Sequence, residues 1–174
     1  MQFDDWQTFN DYLFSKDLDF GDEDIAIRGI WASNGWTIIN DPEMVDTVDE
    51  EALLRLSQTL RTEIVTFIIQ KTSGSFGFTV YNDTIKRHFF VSQGEITDNL
   101  FDPIEQEKGL NINEGIFDDD ILKLAEKLGI DLEGKTKNTY SVKHLEYNEE
   151  MKSEIQRFRQ NQAEEKNKPW WKFW

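Results

Sequence analysis

Four groups of residues in this chain have the side-chain types for chemistry. The first is acidic: Asp17, Asp19, Asp22, Glu23 and Asp24 fall within eight residues, dense enough in carboxylate oxygen to attract a hard cation. An EF-hand loop needs acids at positions 1, 3 and 5, Gly at 6 and Glu at 12. Counted from Asp17, position 5 is Gly21, position 6 is Asp22 and position 12 is Arg28, so the run reads as a solvated acidic connection. The second group is Asp118, Asp119 and Asp120. Neighbouring residues on a helix point in different directions. Anions at a helix start, by contrast, are stabilised by about 0.3–1 kcal/mol each. This triplet therefore reads as a helix start, and no metal is expected in either group.

The third group is the pair of histidines, His88 and His144. A zinc site needs three or four ligands, and His88 has no ligand-type partner two or four residues away. A general-base histidine needs a nucleophile to serve. Ser73 and Ser75 lie in a Thr-Ser-Gly-Ser run, but no Gly stands two residues before Ser75, so the nucleophile elbow is not met. No glycine run of the P-loop or dinucleotide type occurs, and the strand–helix alternation of a parallel sheet is missing. With 34 carboxylates some acid–base pair always lies at a workable distance, which makes such pairs uninformative. No catalytic residue and no cofactor is expected.

The fourth group closes the chain. Lys166, Lys168 and Lys172 flank Trp170, Trp171, Phe173 and Trp174, and Pro169 favours an extended approach. Indoles with adjacent cations suit a partner groove or a membrane interface. They suit equally a tail folded back on its own acidic body, where each large side chain buried contributes about 2–3 kcal/mol.

The elements that position these groups follow from composition and periodicity. At 174 residues the chain fits one domain, and 13 Phe, 6 Trp and 4 Tyr give it apolar area that disordered acidic chains lack. Residues 1–150 hold 31 acidic against 13 basic side chains, a net of −18, while residues 151–174 hold 3 against 6. Such a field repels nucleic acid and anionic lipid and attracts a basic partner. With no cysteine, no basic apolar leader and no long apolar run, a cytoplasmic protein is expected.

Phe3, Trp6, Phe9, Asn10, Leu13 and Phe14, at three- and four-residue spacing, predict a first helix. Ile25–Trp31 and Gly35–Ile39 predict a hairpin around Asn34-Gly35. Leu53, Leu56 and Leu60 predict a helix capped by Asp49. Ile64–Ile69 is apolar on both faces and predicts a central strand, followed by Phe76–Tyr81 and Ile85–Val91 as a meander turning at Asn82-Asp83. Residues 93–116 read as loop, Asp118–Leu128 as a helix stopped by Gly129, and Tyr140–His144 as a strand. Tyr147, Met151, Ile155 and Phe158 mark a last helix. The fold expected is α+β: an antiparallel sheet of five or six strands with helices on one face, in a domain over 1–159 with a linker and aromatic tail over 160–174.

The stretch from Gly35 to Ile130, a little over half the chain, resembles small uncharacterised bacterial proteins, some of them grouped with toxin-immunity proteins. The residues that carry it are Gly35-Trp36-Thr-Ile-Ile, Leu54-Arg-Leu-Ser57, the run from Ser75 to Arg87, Gly94, Pro103-Ile104-Glu105, and Asp120 to Gly129. Where such patterns carry a glycine in the turn before the arginine, this chain has Asp83-Thr84. The resemblance implies a binding protein without catalysis and transfers no functional residue.

The sequence thus points to an acidic, non-catalytic protein-binding module, of the immunity-inhibitor type, that masks a basic partner. Its expected contact residues are Asp17, Asp19, Asp22, Glu23, Asp24, Asp118, Asp119, Asp120, Trp170, Trp171 and Trp174. Neither nucleic acid nor membrane is an expected partner. Two alternatives stay open: an enzyme using carboxylates and His88, and an assembly protein that forms homo-oligomers through its aromatic tail.

Overall fold

Among the described residues, hydrogen bonding gathers eight strands into two antiparallel sheets of four. The computed structural model describes residues 1–17, 25–42, 44 and 46–146. Strands β1 (Gln2–Phe3), β2 (Ile25–Ser33), β3 (Trp36–Asn40) and β8 (Tyr140–Glu146) form one sheet in the order β1-β8-β2-β3. Strands β4 (Ile64–Gln70), β5 (Ser75–Asn82), β6 (Thr84–Ser92) and β7 (Glu95–Leu100) form the other in chain order. Three α-helices accompany them among the described residues: α1 (Trp6–Asp17), α2 (Glu50–Leu60) and α3 (Asp118–Lys127). Among the described residues no helix is long and apolar enough to cross a membrane.

Local chemistry sets the turns and caps. Asn34 and Gly35 both take positive φ, 50° and 84°, which closes the Ser33–Trp36 pair with the twist a hairpin needs. Gln93 and Gly94 do the same at 53° and 83° between β6 and β7. Asp49 Oδ1 accepts the Ala52 N–H at 2.9 Å and caps α2. Asp120 Oδ2 accepts the Phe117 N–H at 3.2 Å at the start of α3. At the end of α3, Gly129 and Ile130 return their N–H groups to Glu126 and Ala125 at 2.9 and 2.8 Å, a Schellman closure.

Two hydrophobic cores share α3. Phe9 and Leu13 of α1 pack on the first sheet against Trp31, Ile38, Tyr140 and Val142, with the Phe9 and Tyr140 rings stacked at 4.9 Å. The second sheet buries Phe76, Phe78, Val80, Phe89 and Val91 under Ile112, Ile116, Ile121 and Leu124. Each such side chain contributes about 1.5–3 kcal/mol by leaving water. Ile121 and Leu124 of α3 belong to the second core and Ala125 to the first, while Val65, Phe67 and Leu128 touch both.

This arrangement corrects several expectations. One sheet of five or six strands becomes two sheets of four, because β2 pairs with the distant β8 rather than with the meander. The helices do not share one face: α1 and α3 line the cores, whereas α2 packs against β5 and β6 through Ser57, Gln58 and the Asp83 turn. The apolar strand β4 is an edge strand, not a central one. Its residues are half-buried on both faces apart from the exposed Ile69, and that two-sided partial burial gives an edge strand the apolar run expected of a central one. Residues 95–100 form β7 where loop was expected, and α1 begins at Trp6 because Phe3 pairs with Tyr140 in β1. The expected helix over 147–158 and the tail over 160–174 lie outside the described residues.

Candidate functional site

Alternation along β6 sends Arg87 and His88 to opposite faces of the second sheet. On the outer face Thr66, Thr79 and His88 stand in register across three strands, and Ile68, Gly77, Phe90 and Asp98 across four. A Cβ at Gly77 would lie 2.4 Å from Phe90 Cδ2, so the absence of a side chain there makes room for the Phe90 ring. Thr47 and Val48, with Glu50 from the first turn of α2, complete the walls of a cavity of about 210 Å³.

The polar groups of this cavity are few and specific. Thr79 Oγ1 and His88 Nδ1 are hydrogen-bonded at 2.8 Å. Burial pushes the Tyr81 hydroxyl above its ordinary value; Thr79 opposes this through a hydrogen bond, and the Glu50 carboxylate reinforces it. Tyr81 therefore stays a neutral phenol at physiological pH. Among the described residues two carboxylates, Glu50 and Asp98, line the cavity, and no Lys or Arg does. Neither carboxylate has an ion-pair partner among the described residues.

The segment that supplies Thr47 and Val48 is held by a buried cation. Arg28, 3% exposed, donates Nε–H to Asp46 Oδ2 at 2.8 Å, and its Nη1 lies 3.0 Å from the equally buried Asp41 Oδ1, in charge contact but off the hydrogen-bond line. Asp41 Oδ2 accepts the Asp46 and Thr47 N–H groups at 2.8 and 3.0 Å. The first core's β2 is thereby coupled to the wall of a cavity on the other sheet.

A wider depression of about 460 Å³ opens beside Arg87, Pro103, Ile104, Glu107 and Leu110. Its charges are already matched. Arg87 grips Glu107 with Nε–Oε1 at 2.7 Å and Nη2–Oε2 at 3.1 Å, and Nη1 donates to the Leu100 carbonyl at 2.8 Å. Glu107 Oε1 also accepts the Ile104 N–H at 2.9 Å, and the guanidinium carbon lies 5.3 Å from the Phe89 ring centre. This ion pair clamps the 100–110 segment to the sheet and has little capacity left for a ligand.

The sequence-predicted residues fall in several places. Asp118 pairs with Lys71 at 2.5 Å, which holds its carboxyl below the usual range, and Asp120 turns back to the helix start, so only Asp119 is fully exposed. Asp17 is the last residue of α1, and Asp19, Asp22, Glu23, Asp24, Trp170, Trp171 and Trp174 lie outside the described residues. Ser73 bonds Gln70 and Ser75 within its turn, and His144 is exposed on β8. His88 alone enters a cavity with carboxylates, and Thr79, the hydroxyl it bonds, is buried beneath it. Among the described residues no group of three or more His, Asp and Glu could hold a metal ion.

Sequence reasoning missed Glu50, Asp98, Tyr81 and Phe90 as one site. The signals were present but unconnected: Gly77 opposite Phe90, and Gln93-Gly94 as the turn that carries Asp98 back beside it. Comparison with protein-family models, curated proteins and solved structures finds no match to this chain.

Proposed function

We propose that this protein is an acidic, non-catalytic binding module that captures and masks a basic partner protein, in the manner of an immunity-type inhibitor acting in the cytoplasm. The observation that carries the reading is the way charge is divided between interior and surface. Arg28 and Arg87 are withdrawn into the body, 3% and 1% exposed, each against a buried carboxylate, Asp41 and Glu107. With those two pairs cancelled inside, the rest of the chain keeps the full net charge of −15, as 32 carboxylates against 17 cations. A surface so biased steers a basic protein to it and can raise association to about 10⁸–10⁹ M⁻¹s⁻¹ at low salt. Asp119 is exposed, and in the same reading the acidic composition of residues 17–24 adds to the negative field while the Trp170, Trp171 and Trp174 tail supplies apolar contact area.

The experiment that tests it is a pull-down from cell lysate at low and high salt, followed by stopped-flow association with the recovered protein across ionic strengths. A basic partner whose association rate falls steeply with salt supports the reading. A rate indifferent to salt rejects it.

A further inference from the structure

We propose that the cavity on the outer face of the second sheet is the pocket that receives one arginine side chain of the basic partner. The inference rests on the binding reading above and gives it an address. Three features of the cavity match a guanidinium. Its floor is aromatic: the Phe90 ring occupies the space that a side chain at position 77 would fill, and Tyr81 and His88 line the same cavity. A planar, weakly hydrated cation stacks on such a face. Its walls carry two carboxylates from separate elements, Glu50 at the start of α2 and Asp98 on β7, neither of them ion-paired among the described residues. Among the described residues its lining includes no Lys or Arg that would compete with an incoming cation.

The geometry also favours a guanidinium over a bare ammonium. Glu50 comes from the first turn of α2 and Asp98 from β7, so the two carboxylates flank the cavity from separate elements, an arrangement that suits a forked, multi-donor cation better than a point charge. The Thr66 and Thr79 hydroxyls and the Tyr81 phenol add neutral hydrogen-bonding groups along the same wall. Within the body these groups are held in place rather than recruited. Asp41 and Arg28 order the segment leading to Thr47, and the His88–Thr79 bond sets the imidazole plane.

The test is titration of the full chain with a hexa-arginine peptide at low salt, read by calorimetry and by amide chemical shifts. Expected are shifts centred on Thr66, Thr79, His88, Phe90 and Asp98. The Glu50→Gln/Asp98→Asn double variant should bind about tenfold more weakly or worse. The Asp4→Asn/Glu114→Gln double variant removes the same charge from exposed positions outside the cavity and should lose about twofold or less. Hexa-lysine should bind several-fold more weakly than hexa-arginine. Equal losses in the two double variants, or shifts scattered over the surface, overturn the pocket while leaving the acidic-module reading intact. Equal binding of hexa-lysine and hexa-arginine overturns the guanidinium assignment. Absence of hexa-arginine binding at low salt overturns both. Asp4, Glu50 and Glu114 are exposed and Asp98 is half-buried, and an unchanged melting temperature checks that the variants fold.

Discussion

Arg87 and His88 are consecutive residues on one strand, and they face opposite kinds of polar environment. Arg87 points inward to a carboxylate, three carbonyls and two aromatic rings. His88 points outward to one hydroxyl and an open cavity with two carboxylates that lack ion-pair partners among the described residues. The first environment is closed: its charges cancel and its hydrogen bonds fasten a loop to a sheet. The second is open. Depth and charge alone do not separate the two, since the closed one borders the larger depression. The separation comes from unspent electrostatic capacity, which is what a ligand can use.

The sharpest way to break this contrast is to remove one partner of the closed pair. Arg87→Met leaves Glu107 buried without its counter-charge, and Glu107→Gln leaves Arg87 in the same position. Each should cost about 3–5 kcal/mol in denaturant unfolding. Replacing both by apolar residues of similar size should cost much less than the sum, because no uncompensated charge remains. If either single variant unfolds like the parent, the ion pair is not the clamp its geometry describes.

Asp131 supplies a second closed site and a pH test. Its Oδ1 accepts the Glu133 and Lys135 N–H groups, and its Oδ2 accepts the Thr136 N–H and hydroxyl, both at 2.7 Å. Burial raises its pKa, but the Thr136 side-chain and backbone bonds outweigh that, and the net shift is downward. A carboxyl with a folded pKa below its unfolded one stabilises fully above the unfolded value, and that stability is lost as pH falls through the folded value. Asp131→Asn should therefore cost about 1.5–3 kcal/mol near neutral pH. The gap between variant and parent should close in acid as the parent's carboxylate takes up its proton. A gap that is constant with pH would show that packing, not charge, holds the 131–136 loop.

Much of this architecture was legible in the sequence wherever the cause was local. Asn34-Gly35, the Asp49 cap and the Gly129 stop each act within a few residues, and each is found where its residues predict it. The pairing of β2 with β8 was not legible, because nothing in Ile25–Ser33 distinguishes a partner more than a hundred residues away from one nearby. The open site was illegible for the same reason. Glu50, Gly77, His88 and Asp98 belong to four elements, and only the meander's register brings the last three to one patch. The closed pair was hidden differently: nothing local to Arg87 marks Glu107, twenty residues on, as its partner until the loop that carries it folds over the strand.

At the open site the largest structural effect should come from Gly77→Ala. The added methyl meets Phe90 Cδ2 at 2.4 Å and the Phe89 carbonyl at 2.7 Å, so the ring must lift from the strand. A cost of about 1–3 kcal/mol is expected. Hexa-arginine affinity should fall with it, since the stacking platform moves. Retained affinity in a destabilised variant would separate the platform from the pocket.

The smallest effect expected is at the bond that joins the cavity's interior to its floor. Thr79→Val keeps the shape of the side chain and removes the hydroxyl that bonds His88 Nδ1, while Thr79→Ser keeps the hydroxyl and removes a methyl. If the bond matters to stability, Val should cost about 0.5–1.5 kcal/mol and the loss should vanish in a His88→Phe background. Serine should show no such dependence on His88, because its loss is one of packing. A Val variant equally costly in both backgrounds would mean that the hydroxyl serves Tyr81 rather than His88. Arg87, one residue away, would show the opposite outcome in the same kind of cycle: its coupling to Glu107 should be several times larger. The difference between those two coupling energies is the contrast between the faces expressed as a measurement.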